Sequence, residues 1–299
     1  MTRVLVNGPA SWNTLVELEH LPSPHPHMVF ANAHRQGLGG TSAGKALGLA
    51  KLCVDVTLRT ALGTDPHAAL IRSALVHRRL TLLADVVDGP SEHHLNLMSA
   101  DGQRLSIYLD AAPPLGAAPA AVVALLSDVS VAVLDLAEHS VELLEVAKAA
   151  GCEVWCDLHD DDGAADFQRP FAHAADVVIV SADRLDDPDA YRAQQVANGA
   201  RWAVCTRGSK GAIALSADEG RFDVSAVVVE QVVDTNGAGD AFVAGLLAGY
   251  LAGAPFSDCL RQASAAGSLA VESPDLSPAD LSPAAVARRA EQVLVRATG

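Results

Sequence analysis

Short β-branched runs alternate with alanine-rich segments along most of the chain, and this alternation limits the possible folds more than any other feature. The segment 140–150 has apolar residues at helical spacing and ends before Gly151, a typical position for glycine after a helix. Strands that alternate with such helices form parallel sheets covered by helices. The sequence therefore predicts an α/β fold with a mostly parallel central sheet flanked by helices. The predicted strands are VLVNG at 4–8, VSVAVLDL at 129–136, EVWCDL at 153–158, DVVIVS at 176–181 and WAVCTRG at 202–208.

Two segments interrupt this alternation and indicate antiparallel sheet, at about 11–35 and 90–110. The second contains two alternating runs around Ala100, Asp101 and Gly102, and Asp-Gly between such runs is a hairpin signal. If the two segments pair in space, they form a small β-sheet lid, and flaps of this kind usually cover a ligand. Two ordinary surface hairpins are the alternative. We expect the lid to belong to a single domain that spans 1–299.

The composition argues against several classes of partner. Lys and Arg total 21 against 36 Asp and Glu, a formal charge of −15, so nucleic acid and anionic membranes would be repelled. The five cysteines include no C-x-x-C pair, which is typical of free thiols in a reducing compartment. The apolar stretch at 241–256 is shorter than the roughly 20 residues of a membrane span. We expect a soluble, cytoplasmic protein with no nucleic-acid or membrane partner.

The stretch GGTSAGKA at 39–46 has the spacing of a nucleotide-binding P-loop, with Lys45 in the lysine position. A P-loop continues with Ser or Thr and follows a buried strand, whereas Ala46 follows here and a polar segment precedes. The two glycines instead indicate a tight turn between a strand and a helix over 41–52, where backbone can approach a ligand closely. Lys45 is then expected near the mouth of a pocket or in solvent.

A second glycine-rich stretch, DTNGAGD at 234–240, is a stronger candidate for an anion site. It follows a strand-like run at 224–233, and apolar residues at helical spacing follow it. Residues 237–239 would form the first turn of a helix, where backbone N–H groups lack partners within the helix and can bind phosphate. Asp240 would lie beside that site, either as a proton acceptor or as an ordinary acid at a helix start.

With this motif, the sequence resembles the PfkB, or ribokinase-like, family of carbohydrate and nucleoside kinases. The D-T-x-G-A-G-D signature matches completely at 234–240, and the order of elements is similar from 4 to about 271, including TRGSKG at 206–211. The resemblance implies a ribokinase-like fold and ATP-dependent phosphorylation of a hydroxyl group on a small sugar. It also implies ATP and Mg²⁺ as cofactors, with K⁺ in some members. A homodimer formed through the lid is a further expectation.

The resemblance also implies roles for individual residues. Asp240 would take the proton from the substrate hydroxyl. The small residues Gly237, Ala238 and Gly239 would bind the transferred phosphoryl group. The other implied roles are ATP binding by Thr206, Gly208, Lys210, Gly211, Asn236 and Ser181, acceptor binding by Ser11, Asn13, Gly39, Gly40 and Gly44, and binding of a monovalent cation by Asp234. For Asp234, an Asx turn before the helix is an equal alternative.

Some positions depart from the family pattern. Asn13 stands where an Asp commonly holds substrate hydroxyls, and Gly44 stands where an Asn is common. Ser181 and Arg184 replace the ends of an N-x-x-E motif, so the placement of magnesium does not carry over. Three functions stay open: a sugar kinase, a nucleoside kinase in which Trp12 could stack on a base, and a catalytically weak sugar- or nucleoside-binding regulatory protein.

Overall fold

The computed structural model describes residues 3–100 and 102–298. Within these residues the strands are β1 Arg3–Asn7, β2 Ser11–Leu18, β3 Ala33–Gly39, β4 Asp55–Leu62, β5 Leu80–Val86, β6 Glu92–Ser99, β7 Arg104–Asp110, β8 Val131–Leu134, β9 Glu153–Asp157, β10 Val177–Ser181, β11 Trp202–Thr206, β12 Ala212–Ser216, β13 Gly220–Val224 and β14 Val295–Thr298. The helices are α1 Thr41–Lys51, α2 Pro66–Ala74, α3 Ala120–Leu126, α4 Glu138–Ala149, α5 Arg169–Ala174, α6 Pro188–Ala197, α7 Ala238–Leu251, α8 Phe256–Val271 and α9 Pro283–Ala290.

The larger sheet forms the body of the molecule, with strand order β14-β13-β12-β11-β10-β9-β8-β1-β4-β5. The strands from β5 to β11 in this order are parallel, and β12, β13 and β14 continue the sheet in antiparallel pairs. The five predicted strands correspond to β1, β8, β9, β10 and β11, so the predicted mostly parallel sheet is confirmed. Its buried apolar residues form two clusters, as expected for a sheet covered by helices on both faces. The carboxyl ends of the parallel strands meet at one edge, where ligands bind in such folds.

The second sheet, which we call the lid, has the order β3-β2-β6-β7. The pairs β3–β2 and β6–β7 are antiparallel, but β2 and β6 are parallel. The two hairpins come from different parts of the chain, separated by α1, β4, α2 and β5. The expectation of an antiparallel sheet is therefore wrong for the central pair. Asp101, part of the predicted hairpin signal, lies outside the described residues.

The strand-like run at 224–233 does not form a strand. β13 ends at Val224, and no helix or strand is present over 225–237. The backbone leaves the sheet after Val224, and the strand that pairs with β13 on its outer side is β14. Val229 and Val232 of this run line a cleft, and Val227 lines the same cleft while it packs into the core.

Helices α1 and α7 pack closely through small residues. A Cβ atom added at Gly48 would lie 2.8 Å from the Cβ of Ala244, so only glycine permits this approach. Nine of the eleven residues of α1 are buried, including Lys45. No helix in the described part of the chain is long and apolar enough to cross a membrane.

Candidate active site

A buried lysine lies where α1, α7 and the ends of two parallel strands meet. Lys45 Nζ lies 3.0 Å from Asp135 Oδ1, 3.1 Å from Asp157 Oδ2 and 3.1 Å from Asp240 Oδ1. We call these four residues the lysine cluster. Lys45 has no exposed surface, so the expectation that it lies in solvent or at a pocket mouth is wrong. The helix is buried almost all round, and the ammonium is tolerated inside because carboxylates surround it.

The carboxylates of the lysine cluster differ in how readily they bind a proton. Burial raises the pKa of Asp240 to about 6, and the nearby charge of Lys45 only partly opposes this effect. Burial also favours the protonated form of Asp157, but His159 and Lys45 outweigh it and lower that pKa to about 2. Asp240 is therefore the carboxylate placed to exchange a proton near neutral pH.

The loop before α7 has a conformation that requires glycine. Gly237 has φ of 80°, and a Cβ atom added there would lie 2.3 Å from the carbonyl oxygen of Leu276. At Gly239 nothing lies within 4 Å of such an atom, so the backbone is open to a ligand. The N–H groups of the first turn of a helix lack partners within the helix. Asp240, in the same turn, thus adjoins a ready anion site.

A mostly apolar cleft of about 330 Å³ opens beside this loop. Thr206, Gly208 and Gly211, all predicted ATP residues, line it together with Ala238 and Gly239. Its other lining residues are Ser209, Ala226, Val227, Val229, Val232, Thr235, Phe242, Ser264, Gly267, Ser268 and Val271. The cleft is therefore apolar along most of its lining and ends at the backbone N–H groups of the first turn of α7.

Sequence reasoning missed the contribution of α8 to this cleft. Small residues at helical spacing, Ser264, Gly267 and Ser268, were the available signal.

The other three predicted ATP residues do not line the cleft. Lys210 is exposed, and Ser181 is half-buried at the end of β10, where its hydroxyl accepts a hydrogen bond from the N–H of Asp183. Asn236 is half-buried, and its side-chain oxygen accepts a hydrogen bond from Arg104 of the lid at 3.1 Å. These positions separate Lys210 and Ser181 from the cleft and connect Asn236 with the lid.

The predicted acceptor residues lie at the start of β2 and in the adjoining end of β3 and start of α1. Ser11 Oγ donates a hydrogen bond to Asn13 Oδ1 at 2.8 Å. A Cβ atom at Gly39 would lie 2.1 Å from Asn13 Nδ2, and one at Gly44 would lie 2.5 Å from Asp240 Oδ2. Gly40 has φ of 89° and marks the start of α1. Asn13 therefore borders the Gly-Gly turn, and Asp240 borders the following helix at Gly44.

Two arginines of the lid contact the loop before α7. Arg35 of β3 forms an ion pair with Asp234, and Arg104 of β7 contacts Asn236. The second carboxylate oxygen of Asp234 accepts a hydrogen bond from the N–H of Asn236 at 2.8 Å, which is the Asx turn named above as one alternative. Neither arginine carries a sequence signal, because each partner is more than 130 residues away. Two side-chain contacts therefore join the lid to the loop before α7.

Comparison with known proteins assigns the chain to a family. The family model described as pfkB family carbohydrate kinase matches residues 15–282. This chain belongs to the pfkB family of carbohydrate kinases. The resemblance found in the sequence is thereby confirmed.

Relatives of this pfkB protein include enzymes named for different sugars. The chain is 34% identical over 283 residues to acarbose 7(IV)-phosphotransferase of Actinoplanes sp., covering 91% of this chain and 93% of that protein. It is 27% identical to ribokinase of Arabidopsis thaliana, covering 90% of this chain and 76% of that protein. Among solved structures, a microbiome-derived acarbose kinase has a TM-score of 0.86 at 27% identity, covering 97% of this chain and 99% of that one.

Proposed function

We propose that this pfkB kinase transfers the γ-phosphoryl group of ATP to a sugar hydroxyl, with Asp240 as the general base. The observation that carries the proposal is the position of Asp240, a buried carboxylate in the first turn of α7 that lies against Gly44 of α1. In the reaction, the acceptor oxygen attacks the γ-phosphorus, its proton passes to Asp240, and ADP leaves. A pKa of about 6 leaves Asp240 mostly ionised at neutral pH and able to accept that proton.

The loop around Gly239 would stabilise the transferring phosphoryl group. Backbone N–H groups at the start of α7 and the positive end of its dipole face the open space beside Gly239. The apolar cleft would hold the nucleoside part of ATP, with Gly208 and Gly211 at its rim. Catalysis then consists of positioning and of charge stabilisation, as in phosphoryl transfer generally.

We infer that Mg²⁺ arrives bound to the phosphates of ATP. The described residues include no group of three or more His, Cys, Asp or Glu side chains arranged to hold a metal ion. Mg²⁺ usually keeps several waters and binds through substrate phosphates with few protein ligands. Arg184, which replaces the usual acid, instead pairs with Asp160 and Asp162. When bound, the ion neutralises the charge of the transferring group.

We also propose that Arg35 supplies the positive charge at Asp234, where the resemblance implied a monovalent cation. Both oxygens of Asp234 already accept hydrogen bonds, one from Arg35 and one from the backbone of Asn236. Turnover should therefore be the same in potassium, sodium and tetramethylammonium buffers. Strong activation by potassium alone would contradict this proposal.

A sugar acceptor is favoured over a nucleoside. Arg35 of β3 lies opposite Leu15 of β2 and forms an ion pair with Asp234 of the loop before α7. The face of the lid that carries Arg35 and Leu15 is therefore turned toward the candidate active site. Asn13 lies on the same face, two residues before Leu15. Trp12 points to the opposite face, because side chains alternate along a strand, and there it packs against the core. It is therefore poorly placed to stack on a base. Two relatives are acarbose kinases, so acarbose is the first acceptor to test.

The test is ADP release from ATP and Mg²⁺ with acarbose, ribose, other sugars, cytidine and inosine as acceptors. Turnover on a sugar supports the proposal, and turnover on a nucleoside alone would replace it with nucleoside kinase. Ligand-dependent thermal stabilisation without any turnover would indicate a binding protein.

We further propose a cytoplasmic homodimer that forms through the lid. All five cysteines are free and four are buried, as suits a reducing compartment. The apolar side chains of Leu105, Ile107 and Leu109 on the edge strand β7 are exposed, and Leu105 and Ile107 lie on the face turned away from Arg104. Light scattering should give twice the mass of 30.9 kDa, and a monomer at micromolar concentration would contradict this assembly.

A further inference from the structure

We propose that Lys45 is a positioning residue that holds the Asp240 carboxylate in the orientation and charge state needed for proton transfer. This proposal rests on Asp240 being the base. The side chain of Lys45 is fully buried and does not line the nucleotide cleft. It therefore acts through Asp240 rather than by touching ATP.

The two carboxylate oxygens of Asp240 have different surroundings. Lys45 Nζ contacts Oδ1 at 3.1 Å. Oδ2 lies on the side of Gly44 and receives no hydrogen bond from the described residues. Any side chain at position 44 would fill the space beside Oδ2, since even a Cβ atom would lie 2.5 Å away. The ammonium thus fixes one oxygen and leaves the other free to take a proton from the acceptor.

The ammonium is itself held from two other directions. Asp135, 3.0 Å from Nζ, accepts a hydrogen bond from Ser42 Oγ at 2.6 Å. Asp157, 3.1 Å from Nζ, accepts one from the N–H of His159 at 3.1 Å. Lys45 is therefore fixed by the ends of β8 and β9, and it transmits their position to the first turn of α7. Such support from a rigid sheet is what a precisely placed base requires.

The charges around Asp240 determine in which direction its pKa should change when Lys45 is replaced. The charged groups that face Asp240 are Lys45 from α1, Asp157 and His159 from the end of β9, and Asp135 from the end of β8. Without Lys45, two carboxylates face Asp240 and its ionised form is disfavoured. Loss of one opposite charge at this distance shifts a carboxyl pKa by about 1–3 units. The acidic limb of the plot of kcat against pH should therefore move to higher pH by that amount.

The test compares Lys45→Gln with the wild type by kcat against pH from 5 to 9.5 and by the KM for ATP. We expect kcat at pH 7 to fall by about 2- to 100-fold as the limb moves, with recovery at high pH and an ATP KM within about threefold. Ser42→Ala is the matched control, because it breaks a buried hydrogen bond of the lysine cluster without changing its charge. It should lower Tm and leave the limb in place. A limb for Lys45→Gln that coincides with the wild type would overturn the proposal.

A double variant tests whether Lys45 acts through Asp240. In an Asp240→Asn background, Lys45→Gln should cause little further loss of kcat, because the base is already gone. Losses that multiply would show an independent role.

Asp135→Asn provides a further test should Lys45→Gln not fold. This substitution removes a negative charge that disfavours ionised Asp240, while the ammonium of Lys45 stays in place. The acidic limb of the plot of kcat against pH should therefore move to lower pH. An unmoved limb would contradict the coupling.

The titration of the carboxyl ¹³C signal of Asp240 gives a readout without turnover. The signal is assigned from its loss in Asp240→Asn and should titrate at higher pH in Lys45→Gln than in the wild type. If no acceptor is phosphorylated by the wild type, the proposed function fails, while this titration still decides what Lys45 does to Asp240.

Discussion

Neutralising Asp240 should stabilise the protein while removing its activity. The ionised carboxylate is buried in a cluster that has three carboxylates and one ammonium. Asn has the same shape but no charge, and Lys45 keeps two partners in Asp240→Asn. The same substitution at Asp157 should have the opposite effect on stability, because the surroundings of Asp157 favour its ionised form.

The magnitudes follow from the two pKa values. A rise from 3.8 to about 6 means that ionised Asp240 destabilises the fold by roughly 3 kcal/mol at pH 7. The folded-state pKa is the higher one, so wild-type stability falls as pH rises from about 4 to about 6. The advantage of Asp240→Asn should be only about half as large at pH 5 as at pH 7.5. A fall from 3.8 to about 2 means that ionised Asp157 contributes roughly 2 kcal/mol above pH 4.

The assay is urea unfolding of both variants at pH 5 and pH 7.5, together with kcat on the best acceptor. Asp240→Asn should gain stability and lose about 10²- to 10⁴-fold in kcat, the usual range for a positioned general base. Asp157→Asn should lose stability. Lower stability of Asp240→Asn than of the wild type at pH 7.5 would refute the reasoning about burial. Turnover above about a third of the wild-type value, far outside that range, would remove Asp240 from the role of base.

Three further predictions concern the lid, the acceptor pocket and the nucleotide cleft. Gly39→Ala places a methyl group against the amide of Asn13 and should raise the acceptor KM at least about tenfold, with little change in the ATP KM; equal changes in both would indicate general misfolding. Arg35→Met removes the ion pair with Asp234, so amide exchange in the lid strands should accelerate, and unchanged exchange would show that the pair does not hold the lid. Lys210→Ala should leave the ATP KM within about threefold because Lys210 is exposed outside the cleft; a tenfold rise would restore its assignment to ATP binding.

The fold was largely predictable because strand and helix periodicity is local information. The alternation of runs predicted β1 and β8 to β11, and the signature at 234–240 predicted the turn before α7. The run at 224–233 misled because valines that line a ligand cleft have the same composition as a buried strand. Composition alone does not distinguish these two environments.

The lysine cluster could not be predicted from the sequence. A lysine in an alanine- and glycine-rich helix is normally solvated, but nine of the eleven residues of this helix are buried. The partners of Lys45 are Asp135, Asp157 and Asp240, and the nearest of them is 90 residues away along the chain. The packing of α1 against α7 and against the ends of β8 and β9 brings them together, and no periodic pattern encodes that packing.

The glycines of α1 and α7 also determine which parts of the molecule can move. Gly48 packs against Ala244, and a Cβ atom at Gly245 would lie 2.7 Å from the backbone of Gln262 on α8. With backbones this close, α7 cannot slide between its two neighbours without collision. The Gly-Gly turn, the proposed base Asp240 and one wall of the apolar cleft therefore form one rigid frame. Changes of shape during the catalytic cycle are therefore expected in the lid rather than in this frame, and we expect its opening to limit product release.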